Sequence, residues 1–417
     1  MILLICDHKK RELESLKQLK AALKIKNIKA EIINKHCVIK AYNYYKPIII
    51  TFPHCNGYLA NTINVLGDNT KKILIPTEHC AFVEKFLEVQ YLGLVKSNKI
   101  RNVINKMDYI FSQSEFTKKF LLKKTKLKNY QITSSGHLYY NNWTFIKPKN
   151  KRINKIGIAL TNEYILRRYK NRNYLKNLYQ VNEKFDLKEN YWRLKQMNFD
   201  QYYFCLIFDL INKLSKNYQI DIRTHVVDSE SNFEFLENKN IKISKKKLST
   251  KDWITKQDLI ISSVSFINVD SYIYGKPHIS LSKLIPNEFY FNAYKTFSYN
   301  QFPEINSFKP SSLEELLRLT KKAKFKMNRK LDHSLKKFFS FPYKKKPVSI
   351  ISNKLSDIVT KNSNKKFKHI FSIEEIKLSK IVGSKTTIIL SYLFSQIKLY
   401  FRKNTNNSYF DFLFIFK

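Results

Sequence analysis

Five polar clusters each follow a short apolar run in the first third of the chain. They are Cys6-Asp7-His8-Lys9, His54-Cys55-Asn56-Gly57, Glu78-His79-Cys80, Ser112-Gln113-Ser114 and Gly136-His137. Carboxylates and imidazoles gathered on one edge can move protons. A cleft carboxylate takes the proton from an attacking hydroxyl, and Glu78 suits that role best, with Asp7 and His8 beside it. His54, Gly136 and His137 are expected to line the same cleft. The pairs His54-Cys55 and His79-Cys80 invite a zinc reading, since nitrogen and sulfur ligands suit that metal. Adjacent residues rarely both reach one ion, and the spacing fits no finger, so no metal is expected.

Further along, Arg223-Thr224-His225 follows one apolar run, and Ser262-Ser263-Val264-Ser265 follows another and opens a helix. Backbone N–H groups, hydroxyls and the helix dipole at such a start favour an anion. Arg223 would add a forked contact, and Asp270 could accept from ribose hydroxyls.

Strands and helices must position these groups. Apolar runs at 2–6, 30–33, 47–52, 73–76, 109–112 and 130–133 read as strands. Helical periodicity lies at 12–26 and 81–104. The polar, basic stretch 148–155 reads as a linker. A second alternation follows, with strands at 156–160, 220–224, 259–262 and 279–281 and helices at 203–216 and 269–274. Gly275-Lys276-Pro277 stops the latter helix. Ser312-Leu-Glu-Glu315 and Ser372-Ile-Glu-Glu375 read as capping boxes, and 348–359 as a helix packing back across the two halves. The expected fold is α/β, with two Rossmann-like domains facing across a cleft. These are an acceptor-side domain over 1–150 and a nucleotide-donor domain over 151–345. A basic helical extension over 346–417 either crosses back or lies on a membrane. In open parallel sheets the ligand sits at the carboxyl ends of the strands.

The residues of the second half are similar to the nucleotide-binding half of GT-B-type enzymes. Asp252-Trp253-Ile254, Asp258-Leu-Ile260, the Ser262–Ser265 loop and Asp270-Ser-Tyr-Ile-Tyr-Gly275-Lys-Pro277 carry the resemblance. It is to bacterial surface carbohydrate biosynthesis proteins, distantly like CDP-glycerol glycerophosphotransferases. Thr161-Asn162, Ser135-Gly136-His137 and Glu78 resemble further positions of that pattern. The chain departs from it at Thr224, Val226-Val227, Phe266-Ile267 and Asp270. The resemblance implies a transferase of surface carbohydrate biosynthesis. It would move a sugar or polyol-phosphate from a nucleotide-activated donor to a glycan or lipid-linked glycan acceptor. Asn162, Arg223, His225, Ser263, Ser265 and Asp270 would bind the donor, and Glu78 would be the base. No cofactor or metal is required in such a site, because basic groups can stabilise the leaving phosphate.

Composition sets the alternatives. The chain has 417 residues, 76 Lys+Arg against 33 Asp+Glu, and a net charge of +43. The last 97 residues hold 23 Lys+Arg and 5 Asp+Glu, more than twice the basic excess per residue of the rest. An excess of this kind suits nucleic acid, anionic lipid or phosphorylated substrates. Much of it is Lys among abundant Asn and Ile, as AT-rich coding would write a solvated surface. Lysines interleaved with Tyr and Phe over 321–345 suit phosphate neutralisation and base stacking, yet no finger or helix-turn-helix stands out. Nucleic acid is therefore the alternative partner, and a catalytically degenerate copy the other alternative. Seven glycines exclude the dinucleotide fingerprint and the P-loop. Five cysteines without a C-x-x-C pair fit neither a disulfide framework nor a zinc ribbon. No apolar stretch reaches the length of a spanning helix. The expected location is cytoplasmic, peripheral at the inner face of the membrane.

Overall fold

The computed structural model describes residues 1–55, 57–77, 87, 91, 103–148, 152–160, 187–225, 230–244, 248–263, 265–285 and 307–362. The helix expected over most of 81–104, the box at 372–375 and the extension beyond 362 lie outside them. Two compact units divide the chain: Met1–Asn142 with the described residues from 335 onward, and Trp143–Ser334. Residues 335–345, expected in the donor domain, thus group with the first unit.

The first unit alternates strand and helix: β1 Ile2–Cys6, α1 Lys9–Ile25, β2 Ala30–Asn34, α2 Val38–Tyr45, β3 Ile49–Phe52, α3 Gly57–Val65, β4 Lys71–Leu74, β5 Tyr109–Ser112, α4 Glu115–Lys124 and β6 Ile132–Ser134. All six strands pair in parallel in the order β2-β1-β3-β4-β5-β6. Strands covered on both faces read as continuous apolar runs, and every residue of β1, β3 and β5 is buried.

The second unit follows the same logic, with β7 Lys155–Ala159, α5 Leu187–Leu214, β8 Gln219–Arg223, β9 Ile241–Ile243, α6 Thr250–Thr255, β10 Leu259–Ser262, α7 Ile267–Ile273, β11 His278–Ser280 and α8 Leu313–Lys322. Its five parallel strands run in the order β11-β10-β7-β8-β9. Strand β9 is absent from the sequence reading because Ile-Lys-Ile is too short to show a period. Ser312 caps α8 by accepting from the Glu315 N–H at 3.1 Å. The Glu315 carboxylate closes the box one residue early, on the Ser311 N–H and hydroxyl at 2.7 Å.

Helices α9 Arg329–Phe339 and α10 Pro347–Lys361 complete the described chain. Val348, Ile351 and Leu355 of α10 share the core of the first unit with Leu16, Leu19 and Leu23 of α1. The helix expected to cross both halves therefore seals one face of the first sheet.

Candidate functional site

Each sheet has one point where successive crossovers leave in opposite directions, and ligands of open α/β sheets bind outside the strand ends there. In the first sheet that point lies between β1 and β3. Three neighbouring strands converge on it. Asp7 follows β1, Lys35 follows β2 and His54 follows β3. The Asp7 side chain is only 4% exposed. Its Oδ2 accepts from His54 Nε2 at 2.8 Å, its Oδ1 lies 2.5 Å from Lys35 Nζ, and His8 Nε2 stands 3.6 Å away.

Glu12 fixes the turn that presents Asp7. This residue of α1 is buried, and its Oε2 accepts from the backbone N–H of Asp7 at 2.6 Å and of His8 at 3.3 Å. His8 stands at the helix N-cap position without a side-chain cap bond, so Glu12 takes over that function.

The electrostatics separate the roles. Burial by itself would raise the Asp7 carboxyl. The hydrogen bonds from His54 and Lys35, and the charge of His8, outweigh it and hold the group well below the usual carboxylate range. A carboxylate so stabilised is a poor base. A carboxylate oxygen only accepts, so His54 donates through Nε2. Such an arrangement can make His54 a base oriented by Asp7, by the logic of a histidine–carboxylate pair in acyl transfer. The sequence alone puts Asp7 among the candidate bases and His54 only in the lining of a cleft. Glu78, the preferred base, lies outside the described residues. Cys55, next to His54, is buried, and burial pushes its thiol up to about 12. It stays protonated at neutral pH and offers neither nucleophile nor ligand. Among the described residues, no group of three His, Cys, Asp or Glu is placed to hold a metal ion.

Gly136 and His137 do not belong to this cluster. His137 is fully buried, its Nδ1 accepting from the Tyr139 N–H at 3.2 Å. The Tyr343 hydroxyl accepts from the His137 N–H at 2.9 Å and donates to its carbonyl at 3.2 Å. Gly136 has φ +83°, and a Cβ there would lie 2.5 Å from Tyr343 Cε1. The turn expected in the cleft instead receives the returning chain. Phe338, Phe339 and Phe341 are likewise buried, and Lys337 Nζ sits 4.2 Å from the Phe116 ring centre. Phe325 stacks on Tyr272 in the second unit. The aromatic residues read as base-stacking rings over 321–345 serve packing, which removes that support for a nucleic-acid partner.

In the second sheet the switch lies between β7 and β10. Ser263 and Ser265 follow β10, and Ser265 Oγ accepts from the Ile267 N–H at 3.3 Å. Asn162 lies outside the described residues. Arg223 ends β8, where its guanidinium donates to the Leu248 carbonyl at 3.1 Å and the Thr250 hydroxyl at 3.0 Å, with Trp253 under it at 5.7 Å. Arg223 therefore holds the loop entering α6. His225 lies two residues on, half-buried. Asp270 is 4% exposed, on a helix whose seven residues are all buried. It is enclosed rather than displayed to a ligand. Nothing in the sequence marked this, since acidic residues are usually exposed.

A buried relay supports the same loop. Ser262 Oγ donates to the Ser263 carbonyl at 3.0 Å and lies 2.8 Å from His278 Nε2, while His278 Nδ1 lies 2.5 Å from Ser307 Oγ. With the Ser262 hydroxyl given to the Ser263 carbonyl, Nε2–H donates to Ser262, and a neutral imidazole then accepts at Nδ1 from Ser307. Burial lowers its pKa to about 3. The unfolded chain takes up this proton near pH 6.5, while the folded chain does so only near 3. Stability from this group is thus complete above 6.5 and falls as pH drops towards 3, by about 1.4 kcal/mol per pH unit. Urea midpoints measured from pH 7.5 to 4.5 should show this slope, and His278→Gln should flatten it. Equal slopes would contradict the assignment.

No protein-family model matches the chain, and no curated protein matches it. Several solved structures are similar to it. The wall teichoic acid polymerase TagF aligns at 13% identity over 87% of this chain and 89% of its own, with a TM-score of 0.49. The UDP-GlcNAc 2-epimerase of Methanocaldococcus jannaschii aligns at 15% identity over 85% and 99%, with a TM-score of 0.43. A form of TagF described with CDPG aligns at 12% identity over 87% and 89%, with a TM-score of 0.47.

Proposed function

We propose that this chain is a transferase of surface carbohydrate biosynthesis that carries a sugar or polyol-phosphate from a nucleotide-activated donor to a glycan hydroxyl. The observation that carries the reading is the His54–Asp7 hydrogen bond at the switch point of the first sheet. His54 Nδ1 takes the proton of the acceptor hydroxyl. The oxygen lone pair forms the bond to the transferred carbon or phosphorus. The bond to the nucleotide phosphate breaks, and its electron pair leaves with that phosphate. Asp7 keeps the imidazole oriented and offsets the charge of the imidazolium formed.

The donor is assigned to the second unit. The resemblance of residues 156–285 supports this, as does the position of Ser263, Ser265, Arg223 and His225 at or beside the β7/β10 switch. No metal or organic cofactor enters the step. A lipid-linked glycan acceptor would place the work at the inner membrane face. No helix among the described residues is long and apolar enough to cross a membrane.

A ligand bound only by the folded chain raises its apparent stability, by about 2.7 kcal/mol at a hundred times its dissociation constant. A thermal-shift screen with CMP-, CDP-, UDP- and GDP-linked donors should therefore raise Tm for one nucleotide class. Identical melting with all four classes would refute the donor assignment.

A further inference from the structure

Two of the three strands that end at the first switch point deliver an aromatic ring as well as a polar group. After β2, consecutive side chains diverge. Lys35 reaches Asp7, while the exposed His36 ring packs on Tyr58, with centroids 5.1 Å apart and planes inclined by 52°. Asn34 holds that turn by accepting from the His36 N–H at 2.9 Å. After β3, His54 meets Asp7, and Tyr58 follows in the first turn of α3, 44% exposed. Isolated exposed rings need no explanation. Here two rings touch each other in solvent, on the same two loops that supply Lys35 and His54.

The chemistry of such a pair is specific. Each ring offers a flat apolar face and a polar edge or tip. A sugar ring presents the matching pair of surfaces, C–H groups on one face and hydroxyls around its rim. A polyol-phosphate chain has no such face, and the Lys35 ammonium that could attract its phosphate is already matched by Asp7. We propose that His36 and Tyr58 form a stacking platform for a saccharide ring, which brings one of its hydroxyls to His54. The acceptor is then a saccharide rather than a polyol-phosphate polymer. This rests on the reading of His54 as the acceptor base.

The test uses the full chain and saturation-transfer NMR with three probes: N,N′-diacetylchitobiose, maltose and glycerol 3-phosphate. At least one disaccharide should bind. Tyr58→Ala should weaken it about tenfold, and Tyr58→Phe should keep it within about threefold, each with unchanged Tm because Tyr58 is exposed. Glycerol 3-phosphate should not respond to Tyr58. Equal disaccharide binding by wild type and Tyr58→Ala, binding of glycerol 3-phosphate alone, or binding of no probe would each overturn the platform. The two readings fail separately. Disaccharide binding that survives Tyr58→Ala removes the platform and leaves the base. Full turnover in His54→Ala removes the base and leaves the platform.

Discussion

His54→Ala is expected to lower kcat by about 10²–10⁴-fold, the range that a positioned general base contributes. Donor binding, read by thermal shift, should stay within about threefold of wild type, because the donor is assigned to the second unit. Asp7→Asn keeps the shape of the pair but removes the charge that stabilises an imidazolium and fixes its tautomer, so it should also fall in kcat. Asp7 stays ionised well into acid, so an acid limb in the pH–rate profile between 5 and 8 would not be its own titration. Unchanged kcat in His54→Ala would sink the proposed step. Loss of both kcat and Tm would point to a structural role instead, which His54→Gln, closer in volume, would then separate.

Gly275→Ala should destabilise the chain by about 2–5 kcal/mol, read from urea unfolding. Two costs combine. Gly275 has φ +60°, a region that costs an L-residue about 1–2 kcal/mol. A Cβ there would also lie 2.7 Å from the Ile146 carbonyl oxygen and 3.0 Å from Pro148 Cα. Both are backbone atoms, which cannot rotate away, so overpacking adds about 1–3 kcal/mol. The segment cannot simply retreat, since the Ile146 N–H donates to the Ile273 carbonyl at 2.9 Å. A change below about 1 kcal/mol would show that residues 146–148 are held less firmly than this geometry requires.

Much of the fold was legible in local pattern. Runs such as Ile2–Cys6 and Ile49–Phe52 have no polar face to turn to water, so they must be buried on both sides, as parallel strands are. Gly275-Lys276-Pro277 announced the stop of α7, because a residue with φ above zero and an imino acid together end a helix. Ser312 announced the start of α8 by its capping hydroxyl. In each case the cause and the effect lie within a few residues. The packing of the aromatic residues over 338–343 was not legible in this way. Phe338, Phe339, Phe341 and Tyr343 lie between runs of lysine, like a nucleic-acid-binding stretch, and their partners are some 200 residues away, as in the Tyr343–His137 contact.

The candidate site divides along the same line. Local sequence named the polar residues at the strand ends, since a loop after a buried strand is where a parallel sheet can display them. It ranked Glu78 first as the base and gave no sign that Asp7 and His54 meet. Asp7 and His54 are 47 residues apart, and their meeting depends on β1 lying between β2 and β3, an order set by crossover packing rather than by any short-range signal. In the proposed step that order makes Asp7 the residue that orients a base, because the neighbouring imidazole and ammonium outweigh its burial and hold the carboxylate charged.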